Sequence, residues 1–155
     1  MTLAEATQLR EWTETHARIA AKSLERARSA REAMAALFQA KVRGAKLPAD
    51  PLQQLDDLHR SALAARCLRI NGSNVEWSWR ASTPEPDRVT WAAVLDAIEL
   101  LRGADAERIR QCGDAACGWF FLDTSRNRSR RWCSMQACGN RNKVRSFYRR
   151  QQPGA

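Results

Sequence analysis

Four of the five cysteines in this 155-residue chain fall within 27 residues, in the order Cys112, four residues, Cys117, fifteen residues, Cys133, four residues, Cys138. Two close pairs separated by an insert of hairpin length suit a tetrahedral ion. Each pair turns round one edge of the tetrahedron, and the insert returns the chain to the opposite edge. A redox site and a buried turn that happens to use cysteine are the competing readings, but the thioredoxin type of redox site needs Cys-x-x-Cys, which is missing here. Gly113 and Gly118 beside the first pair, and Gly139 after the second, supply the backbone freedom that tight ligand turns require. The favoured reading is one structural Zn²⁺ held by Cys112, Cys117, Cys133 and Cys138. Cys67, at a strand position, reads as a small buried apolar residue.

The remainder of the chain agrees with metal. No stretch approaches the ~20 consecutive apolar residues of a membrane span, and the opening MTLAEATQLREW lacks the charged-then-apolar layout of a secretory signal. A cytoplasmic protein without a membrane partner is expected, and in that compartment clustered cysteines are more often metal ligands or catalytic thiols than disulfides. The charge is uneven. From residue 104 onward 11 arginines and lysines face four acids, whereas the first 103 residues hold 15 basic and 13 acidic groups. Such asymmetry points to an anionic partner for the C-terminal third.

Thr2 with Glu5 reads as a capping box, and no Gly or Pro interrupts residues 3–43. Two helices are expected there, broken at the polar cluster Thr13 to His16, with Ala20, Leu24, Ala27, Met34, Leu37 and Phe38 as the apolar stripe. After Gly44 and the loop LPADP, Asp50 is expected to cap a third helix with Pro51 at its first position and Leu52, Leu55, Leu58 and Ala62 facing a core. The alternation in CLRINGSNVEWSWR about Asn-Gly-Ser-Asn is a hairpin signature. A lone hairpin is marginal in water, so its Trp face should pack on the helices, with Trp77, Trp79 and Trp91 in the core. Beyond the loop STPEPD, Trp91, Val94, Leu95, Ile98 and Leu101 make a fourth helix that stops at Gly103. His16 and His59 are isolated and read as surface or internally satisfied residues.

In the cysteine segment a short helix, Asp105 to Arg110, leads in. GWFFLDTS and RRWCS read as two short strands about the turn RNRS, and Ser134 as the cap of a helix that carries Cys138 in its first turn. One side of that helix is apolar, with Val144, Phe147 and Tyr148. Another displays Arg141, Arg145 and Arg149 at four-residue intervals, with Lys143 and Arg150 nearby, as a phosphate-facing ridge. Arg126 and Arg128 in the turn complete the candidate nucleic-acid contacts, Arg126, Arg128, Arg141, Lys143, Arg145 and Arg149. Arg130 and Arg131 flank a ligand strand and suit either that role or charge compensation of the thiolates. Asp123 reads as a loop cap or arginine partner, and Trp119 and Trp132, next to ligands, as packing residues.

The run Cys117-Gly118-Trp119-x-Phe121-x-Asp123-x-Ser125, then Arg130-Arg131-Trp132-Cys133-Ser134-Met135, then Cys138-Gly139-Asn140-Arg141-x-Lys143 resembles the CGNR zinc finger. That finger typically forms the C-terminal part of bacterial proteins with an N-terminal domain called ABATE, described as stress-induced transcription regulators. The helix order, hairpin and Trp-bearing helix of residues 1–104 are similar to that domain. Family members usually open with an apolar segment resembling LDFVNT ahead of the first helix, and this chain starts after that point. The resemblance implies zinc and DNA.

Together these readings predict a mainly α (α+β) protein. Residues 1–104 form an ABATE-like helical domain with one β-hairpin, and residues 105–155 a small treble-clef-like zinc finger with a basic C-terminal helix. The expected function is that of a zinc-dependent DNA-binding transcriptional regulator whose N-terminal domain takes an unknown small-molecule signal or protein partner. An RNA-binding accessory protein and a zinc-stabilised protein-interaction adaptor are the alternatives. An enzyme is not expected, because four cysteine ligands leave no position for water and neither a Ser-His-Asp set nor a phosphate loop is present.

Overall fold

The structure, a computed structural model, describes residues 3–80 and 85–151; Thr2 of the expected capping box and residues 82–84 of the expected loop lie outside the described residues. The chain divides into two compact units, one of Met1–Leu37 and Pro48–Leu100, the other of Phe38–Leu47 and Leu101–Ala155. Helices dominate, accompanied by two short strand pairs.

In the first unit the uninterrupted N-terminal stretch forms α1 (Leu3–Thr15) and α2 (Ala17–Val42), with His16 between them. The break is satisfied locally. His16 donates its backbone N–H to Trp12 and accepts from Ile19 and Ala20, while its ring lies 4.3 Å from that of Trp12 and nearly parallel to it. The buried line of α2 is Ser23, Ala30, Ala33 and Leu37, whereas Leu24, expected inside, is half exposed. Ser23 is explained by its partner. Its hydroxyl donates to Asp87 Oδ1 at 2.6 Å, and Arg26 donates to Asp87 Oδ2 at 2.9 Å through Nε. Asp87 stands just ahead of α4 (Arg88–Arg102), where its carbonyl accepts from Trp91 N–H. A buried carboxylate thus ties α2 to the start of α4 with its oxygens satisfied.

Helix α3 spans Ala49–Ala64 and starts two residues earlier than Asp50 as a cap would require. Pro48, extended, occupies the cap position without a side-chain bond. Asp50 and Pro51 then lie in the first turn, where a carboxylate suits the helix dipole and a missing N–H costs nothing. Leu55 and Ala62 are fully buried and join Leu37 and Val94 in the core, while Leu52 is exposed.

Strands β1 (Arg66–Asn71) and β2 (Asn74–Trp79) pair antiparallel in the register Leu68↔Trp77 and Ile70↔Val75. Gly72, at φ 62°, takes the left-handed conformation that the first central residue of a two-residue hairpin turn needs. The Trp face does not pack as expected. Trp79 meets Trp91 at 6.0 Å, but Leu68, Ile70, Val75 and Trp77 are all more than half exposed. Within the ribbon, Arg66 at its open end lies over the rings of Trp77 and Trp79, at 5.2 and 5.5 Å.

In the second unit a 3-10 turn (Ala104–Arg108) ends where β3 (Ile109–Gln111) begins, so the expected helix to Arg110 is cut short by a strand. Strand β3 pairs with β4 (Phe120–Leu122) in the register Arg110↔Phe121. The end of α2 belongs to this unit: Phe38 meets Phe120 at 5.8 Å and Lys41 pairs with Glu107. The unit closes with α5 (Asn140–Gln151). No helix among the described residues is long and apolar enough to cross a membrane.

The burial pattern has a direct consequence. Replacing the fully buried Leu55 by Ala should cost about 2–5 kcal/mol, while replacing the exposed Trp77 by Ala should change stability by about 0.5 kcal/mol or less. Urea unfolding followed by helical circular dichroism checks this. Equal losses would show that the hairpin face is buried in solution.

Candidate metal centre

The first cysteine pair lies in the connection between β3 and β4. The ladder continues past the strand ends, Cys112 N–H donating to the Trp119 carbonyl at 2.9 Å, so Cys112 and Cys117 sit in the tip of one ribbon. The tip is a turn organised by Asp114. Its carbonyl accepts from Cys117 N–H, and its Oδ1 accepts from Ala116 N–H at 3.1 Å. The second pair follows the loop of residues 123–134, and this loop departs from the expected second strand. Arg130 N–H donates to Asp123 Oδ2 rather than to β4, and the Arg131 carbonyl accepts from Gly113 N–H. Arg130 N–H and the Arg131 carbonyl are thus taken by a side chain and by the first cysteine loop, and the strand partner of Phe120–Leu122 is Ile109–Gln111 instead. Asp123, completely buried, also accepts from the N–H and hydroxyl of Ser125, and it is the loop cap of this turn.

Ser134 accepts from Ala137 N–H and caps a π-type turn, Met135–Gly139, that carries Cys138 and runs into α5. Asn142 donates to the Cys138 carbonyl at 2.9 Å, and Arg130 donates to the carbonyls of Trp132 and Cys133. Both ligand loops are therefore fixed by side chains. The glycines matter for close approach. A Cβ on Gly139 would lie 2.4 Å from Met135 Sδ and 3.1 Å from the Trp132 ring, and one on Gly113 would lie 3.2 Å from the same ring.

This scaffold brings the sulfurs of Cys112, Cys117, Cys133 and Cys138 within 4.8 Å of one another. Cys133 Sγ lies 3.7 Å from both Cys117 Sγ and Cys138 Sγ. A regular tetrahedron with zinc–sulfur bonds of ~2.3 Å has edges of about 3.8 Å, so the donor set fits zinc. Cys67 is elsewhere, in β1. Burial pushes the Cys138 thiol up to about 12, the other thiols reinforcing it, and burial also raises Cys133. Cys112 moves the other way, to about 7. Burial opposes this, but the N–H groups of Cys133 and Asp114 together with the thiols of Cys133 and Cys117 outweigh it. Four crowded thiols cannot all ionise alone, whereas a dication makes thiolates of them.

Asp114 is not among the residues that the sequence singles out, yet it is fully buried and accepts from two arginines of α5: Arg141 at 3.1 Å and Arg145 at 2.9 Å. The N–H of Ala116 first, with both guanidiniums aiding against burial, holds its carboxyl below the usual range. An acid inside a cysteine pair with two arginines four apart in the last helix was the readable signal. The expected ridge therefore divides. Arg141 and Arg145 grip the first cysteine loop, while Arg149, Lys143, Arg126, Arg131 and Arg150 form no ion pair with described residues. Arg128 sits at φ 50° in the turn. Val144, Phe147 and Tyr148 are exposed, and Trp119, expected to pack, is 73% exposed.

The four-thiol cage, with one ligand pair in a strand connection and the other leading into a helix, defines a small zinc-finger module that follows a helical domain in the sequence. Residues 108–151 match the CGNR zinc finger, and residues 2–104 match ABATE, described as "Putative stress-induced transcription regulator". The chain belongs to the ABATE family and carries a CGNR zinc finger with one structural zinc. Comparison with the curated proteins found no match.

Substituting any one of Cys112, Cys117, Cys133 or Cys138 by Ser should abolish stoichiometric zinc, and Cys67→Ser should retain it. Elemental analysis of the purified variants decides. Chelation should remove amide protection from residues 108–151, because structural zinc contributes ~10–16 kcal/mol to the folding of finger peptides. Asp114→Asn should keep zinc yet lower the thermal midpoint of the module. Removing Arg141 and Arg145 should then cost less in that variant than in the parent. Additive losses would show that the three residues do not act as one unit.

Proposed function

We propose that this protein is a cytoplasmic, zinc-dependent DNA-binding transcriptional regulator. In this reading residues 105–155 contact DNA and residues 1–104 take a small-molecule signal or a protein partner. The observation that carries the reading is the fate of the acids in the zinc-binding unit. Asp114 and Asp123 are buried, Asp105 pairs with Arg108, and Glu107 pairs with Lys41. Among the other cations, Arg126, Arg131, Lys143, Arg149 and Arg150 have no ion pair with described residues. A surface whose negative groups are all engaged internally presents positive charge outward, and a polyanion neutralises it with release of counterions. Arg128 in the turn adds to this surface, while Arg141 and Arg145, about half exposed, remain able to share a donor with a phosphate.

One observation favours RNA as a second reading. Trp119 is exposed beside the first cysteine pair, where an indole face suits an unstacked base. The zinc-loaded protein should bind duplex DNA with an affinity that falls steeply as salt rises, and Trp119→Ala should leave that binding nearly unchanged. Titrations of duplex DNA and of single-stranded RNA, each at several salt concentrations, check this. Preference for the RNA together with its loss in Trp119→Ala would establish the second reading instead.

A further inference from the structure

Helix α5 has three different faces. Arg141 and Arg145 lie on the one gripped by Asp114. Val144, Phe147 and Tyr148 lie on another, exposed and apolar. The third carries Asn142, Lys143, Ser146, Arg149 and Arg150, and it walls an open groove of about 450 Å³ whose far side is Arg131 and Trp132 and which Gly113 and Gly139 also line. No carboxylate lines it among the described residues. A second concavity of about 360 Å³, between Arg130 and Met135, shares Arg131 and Trp132 with the first.

The groove differs from an ordinary basic surface in how its parts are held. Arg131 lies over the Trp132 ring, 5.1 Å from its centroid. Stacking fixes the plane of the guanidinium and leaves its N–H edge for an acceptor. Trp132 is in turn seated against Gly113 and Gly139. Gly113 follows Cys112, Trp132 precedes Cys133 and Gly139 follows Cys138, so the floor of the groove consists of the neighbours of three cage cysteines. Arg130, by contrast, spends its donors on the carbonyls of Trp132 and Cys133. The clamp and the groove thus use different cations.

We propose that this groove, through Arg131, Lys143, Arg149 and Arg150, is the seat of a backbone phosphate run of duplex DNA, and that Arg141 and Arg145 serve mainly to hold α5 on the first cysteine loop. The proposal rests on the DNA-binding reading above and assigns it a particular surface, with Arg131 and Arg150 as additional contacts. The groove exists only while the cysteine loops are held together, so metal and phosphate binding are coupled through Gly113, Trp132 and Gly139.

The test uses the full zinc-loaded chain and a fluorescent duplex of mixed sequence, with affinity measured over a range of salt. Lys143→Gln with Arg149→Gln changes two exposed helix positions and no residue that bonds the cysteine loops; Arg131→Gln is measured separately. A control, Arg10→Gln with Arg28→Gln, removes the same net charge from exposed positions of the first unit. The expected result is a salt slope flattened by about 0.9 for each phosphate that the groove variant no longer neutralises, with zinc content intact and with the control equal to the parent. If the parent binds the duplex with a steep slope and the groove variants keep it, the groove is not the seat although the DNA reading stands. Equal flattening in the control and the groove variants overturns the proposal in favour of diffuse charge. A parent that binds no duplex, or binds only RNA, overturns the DNA reading and the proposal with it.

Discussion

The second unit depends on the attraction between one dication and four crowded thiolates. Without it, the ribbon tip and the π-type turn would have to keep four sulfurs within 4.8 Å of one another in a unit whose α5 buries no side chain of its own. Two three-residue strands and the end of α2 offer little apolar area, and a unit of this size usually needs a metal or disulfides to fold. The hydrogen bonds around the cage are arranged accordingly. Ser134, Asn142 and Arg130 each bond a backbone group within or beside a ligand loop, so the geometry is defined by polar contacts that the ion then locks.

Asp114 extends this order from the cage to the helix. A carboxylate completely removed from water would be costly alone, and it is tolerated because two guanidiniums and an N–H converge on it. The first unit uses the same device: Asp87 is nearly buried and accepts from Ser23 and Arg26. In both units a buried acid links segments distant in sequence, where apolar packing is thin.

The metal cage was legible in the sequence because the spacing of cysteines and glycines encodes loop geometry directly. Helix boundaries near His16 and Gly103 were legible for the same reason: local chemistry fixes them. What could not be read depends on partners far along the chain. The buried face of α2 runs through Ser23, Ala30 and Ala33, which carry little hydrophobic signal, and so the larger Leu24 suggested a different stripe. The strand partner of Phe120–Leu122 was misplaced because RRWCS and IRQ are both short and basic, and only the side chain of Asp123 and the carbonyl of Arg131 decide between them. The even spacing of Arg141, Arg145 and Arg149 suggested one ridge, yet a single acid 27 residues before Arg141 separates them. The exposure of Trp77 and Trp119 likewise reflects tertiary surroundings, since the type of residue alone argues for burial.

The engagement of Asp114 by Arg141 and Arg145 also changes the shape of the electric field. By offsetting one of the two positive charges nearest the ribbon tip, it leaves most of the uncompensated charge along the groove and the turn, on a body stiffened by metal. Such a unit carries a dipole as well as a net charge. Approaching a polyanion, it experiences a torque before any contact forms, and encounters begin with the positive side foremost. For the proposed DNA partner, the orientation search that usually slows docking would thereby be shortened, and counterions that weaken the field would act first on the rate of arrival.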